Sequence, residues 1–266
     1  QFQKAMVSGA RIFELIDIEP EIQDKPQAQQ MSLVQGHVEF RSVSFSYIPG
    51  IPVLRNINLI IEPGQTVAFV GLTGAGKTSL VSLLQRFYDV TEGQVLIDGI
   101  DERDVGRESL VSQMSTVLQD PFLYSETIRE NIRFNHPQVT DDQITAAAKA
   151  VGAHEFIMKM PQGYESVLEQ RGANLSMGQR ALVSMARAIV ANPRILILDE
   201  ATANMDSDSE HRLQAALQVA LEGRTSLVIA HRLSTITSAD KIVVLEHGRV
   251  VDAGSHQQLL HRGGVY

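Results

Sequence analysis

The sequence predicts an α/β fold: a parallel sheet with covering helices, a smaller antiparallel sheet ahead of it, and a helical block inserted into it. Three observations support this. Beyond Pro193, short apolar runs at 195–198, 226–229 and 241–245 alternate with helical stretches at 207–221 and 255–261, the pattern of parallel strands joined by crossover helices. Residues 121–190 carry helical spacing through most of their length. From Gly36 onward, by contrast, Val38, Phe40, Val43, Phe45 and Tyr47 form a roughly alternating run that Pro49-Gly50 interrupts.

The elements follow in order. Residues 1–17 place apolar side chains at helical spacing, and 18–35, with Pro20, Pro26 and several glutamines, read as a linker. Residues 57–61 and 66–70 are strands separated by a Pro63-Gly64 turn, and a helix is expected from Lys77 to about Phe87. Strands follow at 94–97 and 114–118. Helices are expected at 127–133, 141–151, 154–160 and 176–190, so the helical insert covers about 121–190. The expected division is therefore 1–35 as a leading helix and linker, and 36–266 as the main domain.

Composition narrows the function. The 266 residues suit one large α/β domain or two small ones, and 44% hydrophobic residues can build a real core. A net charge of -8 counts against a nucleic-acid binder that works by general phosphate attraction, so no nucleic-acid partner is expected. With no cysteine there is no disulfide framework and no thiolate metal chemistry. No apolar run approaches the 18 or so residues of a membrane span. The chain begins at Gln1 on what reads as the tail of a helix, so it is expected to be a fragment, soluble by itself.

Gly71-Leu72-Thr73-Gly74-Ala75-Gly76-Lys77-Thr78 matches the phosphate-cradling pattern G-x-x-x-x-G-K-[ST], set between an apolar strand and a helix as that motif requires. Glycines let backbone amides turn onto phosphate oxygens, and the helix N-terminus adds positive potential. The candidate cradle is Gly71, Thr73, Gly74, Ala75, Gly76, Lys77, Thr78 and Ser79. Within it Lys77 reaches the terminal phosphates and Thr78 holds Mg²⁺. Asp199-Glu200 ends an apolar strand, where α/β sheets place ligand chemistry. Asp199 would orient the Mg²⁺ shell, and Glu200 is the candidate general base that polarises water for attack on the γ-phosphate of ATP.

A pentapeptide, Leu175-Ser176-Met177-Gly178-Gln179, falls about a hundred residues after that loop and about twenty before the acidic strand. In this order the three motifs resemble the ATP-binding domain of ABC transporters, and more closely exporters with fused membrane and ATPase domains. The resemblance covers nearly the whole chain and implies a P-loop NTPase with a RecA-like parallel core. It implies that Gln119 touches Mg²⁺ and water, that His231 contacts the γ-phosphate, and that Asp206 belongs to a loop joining two such domains. Tyr47 is either a strand-end tyrosine packed on the core or, by the resemblance, the aromatic that stacks on adenine. Ser176, Gly178 and Gln179 would serve a nucleotide held by the other subunit. Met177 departs from the family's first glycine, and Ala181-Leu182 from its usual Gln-Arg.

Residues 167–172 are either a plain charged loop or, by resemblance, the segment that touches the membrane domain's intracellular loops, with Gln170 where a glutamate is usual. Residues 10–17 are likewise either an ordinary amphipathic helix or the exit of the last membrane helix. The function these features imply is an ATPase motor for export. Two copies, identical or different, would clamp head-to-tail around two Mg-ATP at the cytoplasmic face of the cell (inner) membrane, each fused upstream of residue 1 to a membrane domain. A soluble ABC-type ATPase of DNA repair or chromosome maintenance is the alternative. Its long coiled-coil arms or large insertions have no counterpart between residues 78 and 175. A simple P-loop kinase leaves the pentapeptide, Asp206 and His231 unexplained.

Overall fold

The computed structural model describes residues 6, 9, 11–14, 16–199, 207–230 and 232–266. An antiparallel sheet is built from β1 (Val38–Phe45), β2 (Leu54–Ile61), β4 (Glu92–Ile97) and β5 (Ile100–Asp101), in the order β2-β1-β4-β5. The second sheet holds β3 (Thr66–Val70), β6 (Met114–Val117), β7 (Ile195–Asp199), β8 (Thr225–Ile229), β9 (Lys241–Glu246) and β10 (Arg249–Gly254), in the order β10-β9-β3-β8-β7-β6. Its strands run parallel except β10, which is antiparallel to β9.

Successive side chains of these parallel strands go to opposite faces, and each face has its own core. Ala68, Leu196, Leu198, Val228 and Val244 join one, while Val67, Phe69, Ile197, Leu227 and Val243 join the other. A sheet covered on both sides is apolar at every position, which is why 195–198 and 241–245 read as unbroken hydrophobic runs. The first core is shared with the helical block: α3 (Ile128–Arg133), α4 (Asp141–Ala150), α5 (His154–Met158) and α6 (Met177–Val190). α7 (Ser207–Leu221) also packs there. The second core is shared with α1 (Lys77–Leu84), α2 (Arg107–Val111) and the antiparallel sheet. Two further helices, α8 (Leu233–Ser238) and α9 (His256–Arg262), flank β9 and β10.

Several helices start where a side chain can satisfy their first amides. Thr140, Ser176 and Ser255 each form a reciprocal capping box with the residue three positions on, and Thr127 caps α3. Strand β10 and helices α2 and α8 were not expected from the sequence. β10 has no fully buried residue, so it carries no hydropathy signal. The P-loop helix stops at Leu84, three residues short of the expected end, because Arg86 takes a left-handed backbone (φ 50°) and turns its side chain inward.

Residues 18–35, expected to be a linker, are from Gln23 onward a strap bonded to the domain. Asp24 carboxylate oxygens accept from Arg86 Nη1 (3.1 Å) and from the Arg107 amide that opens α2 (3.0 Å). Gln29 forms a parallel bridge with Val105, and the Met31 amide donates to Ser109 Oγ. The amides of Gln35, Gly36 and His37 donate to the Asp98 carboxylate, and Met31 and Val34 are buried in the second core. Polar composition suggested free chain, but the polar groups are spent on specific bonds.

Candidate functional site

Because β3, β8, β7 and β6 are parallel, their C-terminal ends emerge along one edge of the sheet. The register pairs Phe69 with Ile229, Ile229 with Asp199, and Leu198 with Val117. The loop starting at Gly71, the Asp199 carboxyl and the exposed Gln119, two residues past β6, therefore lie along one rim. This is the edge at which parallel sheets hold ligands. Glu200, Asp206 and His231 lie outside the described residues.

The loop's backbone explains its glycines. Gly71 has φ 150°, and a Cβ there would fall 2.2 Å from the Leu245 carbonyl oxygen. Gly76 (φ 105°) precedes α1, and a Cβ on it would meet Leu54 Cδ2 at 2.6 Å. With glycine at this position no side chain caps α1, and its first turn holds no acidic residue, so its amides and positive dipole end face the loop. Thr73 and Gly74 are exposed at the tip of the loop, Ala75 is buried below them, and Thr78 is exposed on the first turn of α1.

Lys77 is only 8% exposed. Its ammonium donates to the carbonyls of Gly71 (2.7 Å) and Leu72 (3.1 Å). Burial lowers its pKa from the usual lysine value, while the nearby Asp199 carboxylate works the other way. A cation and an acid from distant parts of the sequence thus share one electrostatic site. Thr78, Gln119 and Asp199 offer oxygen donors, the hard set that Mg²⁺ favours. Among the described residues no group of three or more His, Asp or Glu side chains is placed to hold a metal ion.

Tyr47 stands two residues past β1, 47% exposed, with its hydroxyl donating to Ser79 Oγ at 3.0 Å. The pentapeptide opens α6: Ser176 Oγ accepts from the Gln179 amide (3.2 Å) and Gln179 Oε1 accepts from the Ser176 amide (2.9 Å). Gly178 is buried, and a Cβ there would meet the Ser209 side chain of α7 at 3.2 Å. Ser176, Gly178 and Gln179 line a cavity of about 190 Å³ with Phe156, Leu182, Ser209 and Arg212, and none of residues 71–79 lines it. The structure therefore groups the candidate residues into two sets, one at the sheet edge and one at the start of α6.

A network that sequence reasoning did not identify anchors the segment after Gln119. Asn131, 1% exposed, donates to the carbonyls of Tyr124, Glu126 and Thr127 and accepts from the Tyr124 amide. Arg187 of α6 donates to Asn131 O (2.7 Å) and Phe122 O (2.8 Å) and lies 5.0 Å from the Phe134 ring centre. Burial pushes Arg187 down to about 10. Gln119 is thus attached on one side to the sheet and on the other to the helical block. The missed signal was a lone Asn and a lone Arg, neither of which stands out in a sequence.

The family described as ABC transporter matches residues 54–203. The ATP-dependent lipid A-core flippase of Syntrophus aciditrophicus is 47% identical over 264 residues, 99% of this chain and 44% of that protein. The fatty acid ABC transporter ATP-binding/permease protein of Mycobacterium bovis is 46% identical over 264 residues, 99% of this chain and 42% of that protein. The solved structure of a bacterial Atm1-family ABC exporter with ATP bound superposes with a TM-score of 0.90 at 38% identity, over 99% of this chain and 46% of that one. The chain spans less than half the length of the curated relatives it matches.

Proposed function

This chain belongs to the ABC transporter family as an ATP-binding domain, and we propose that it is the ATP-hydrolysing motor of an exporter. The observation that carries this reading is the meeting of Lys77, on an uncapped, glycine-opened helix, with Asp199 at the same rim of the parallel sheet. The amides of the loop and first turn bind the phosphates, Lys77 leaves its two carbonyl partners for the terminal phosphate oxygens, and Tyr47 offers its ring to adenine. Thr78, Gln119 and Asp199 would hold a Mg²⁺ ion, which would neutralise charge on the phosphate oxygens. Glu200 takes the proton of the attacking water and His231 contacts the γ-phosphate, both roles resting on the family pattern.

By the family pattern, Ser176 and Gly178, which line a cavity apart from the loop, serve a nucleotide held by a second copy or a related domain, whose own α6 N-terminus faces the γ-phosphate here. No described helix is long and apolar enough to cross a membrane. The membrane-spanning part of the exporter is supplied upstream of this domain, as the fused ATP-binding/permease relatives suggest, which puts the domain at the cytoplasmic face of the membrane. Substituting Glu200→Gln tests the reading. ATP binding should persist, turnover should stop, and an ATP-bound dimer should accumulate on gel filtration. Turnover near wild type would remove Glu200 as the general base.

A further inference from the structure

Tyr47 does not stand alone. Its ring meets Tyr88 edge-to-face at 5.0 Å and 87°, and Phe45 at 4.7 Å and 80°, while Phe45 and Tyr88 lie 5.5 Å apart. Its hydroxyl is fixed on Ser79 Oγ at 3.0 Å. Phe45 is buried, whereas Tyr88 is 37% exposed, as suits a side chain propping another at a surface. Ser79 is the third residue of α1 and Tyr88 follows four residues after that helix ends. One support therefore comes from the helix that carries Lys77 and the other from the segment that follows it.

We propose that Tyr88 and Ser79 are positioning residues for Tyr47, fixing its ring as a preset platform for the base of the bound nucleotide. This rests on the nucleotide reading above and deepens it. An aromatic side chain held at its edge and at its hydroxyl loses little rotational freedom when a base stacks on it, so more of the stacking energy appears as affinity. Anchoring Tyr47 to the helix of Lys77 also fixes the distance between the base platform and the phosphate-binding ammonium. The pair thereby favours a nucleotide over a bare polyphosphate.

The test is calorimetric titration of the full chain with ATP and with inorganic tripolyphosphate, which has no base. Tyr88→Leu is expected to weaken ATP about fivefold, the effect of releasing one ordered side chain. Tripolyphosphate affinity should stay within about twofold in Tyr88→Leu, and Tyr88→Phe should restore ATP affinity because the supporting ring is kept. If Tyr47→Ala weakens ATP while Tyr88→Leu does not, the platform stands and its support by Tyr88 is refuted. If Tyr88→Leu weakens both ligands equally, its role is structural and the inference fails. If Tyr47→Ala leaves ATP affinity unchanged, the adenine reading fails and the inference with it.

Discussion

Arg86→Met should cost this domain roughly 2–4 kcal/mol and release the strap at residues 23–36. Arg86 is 1% exposed and donates to four acceptors: Asp24 Oδ1 (3.1 Å), Asp89 Oδ1 (3.2 Å), Val105 O (3.0 Å) and Gln23 O (3.3 Å). Removing one partner of a fully buried ion pair costs about 3–5 kcal/mol. Here Asp24 and Asp89 are 42% and 38% exposed and regain water, so their share is discounted to about 1 kcal/mol or less each. Val105 is wholly buried, and leaving its carbonyl without a donor adds about 1–3 kcal/mol. Methionine fills most of the stem's volume, which limits any cavity cost. Urea unfolding should show the lower midpoint, and hydrogen exchange should quicken at the Gln29 and Met31 amides. A loss below about 1 kcal/mol with unchanged exchange in the strap would refute the clamp.

Three further predictions follow from single features. Glu102 is almost wholly buried with neither carboxylate oxygen hydrogen-bonded; burial, then Asp89 and Asp101, raise its pKa well above the ordinary value against the pull of Arg86 and Arg103. Its stabilising share is complete below the unfolded value of about 4.5 and is lost as pH rises toward the folded one. Glu102→Gln should therefore exceed wild type in urea midpoint at pH 8 and converge with it near pH 4. Gly178→Val should destabilise by about 1–3 kcal/mol through collision with Ser209, and Ser209→Gly should recover part of it in thermal melts. Lys77→Ala should weaken ATP binding by about tenfold or more, since a charged donor to phosphate is lost; unchanged affinity by calorimetry would displace Lys77 from the site.

The fold was legible where a strand is buried on both faces or a helix carries a cap. β3 and β7, the capped helices at Thr140 and Ser176, and the loop at 71–78 all stand where hydropathy and motif put them. β10 was invisible because its side chains are half-exposed and its pairing is made by backbone alone. The strap was misread for a related reason: glutamines and prolines suggest free chain, but Asp98 collects its amides from more than 60 residues away in sequence, and the strap's own Asp24 accepts the Arg107 amide. At the site, the loop and Asp199 announced themselves by motif. Tyr88, Asn131 and Arg187 did not, since each acts through a neighbour that only the tertiary structure supplies.

Gly178 and Ser209 bring the start of α6 against the start of α7. α7 begins at Ser207, eight residues after Asp199 leaves the sheet, and its first turn already touches the start of α6. The starts of α6 and α7 are thus packed closely enough that a shift of one first turn displaces the other.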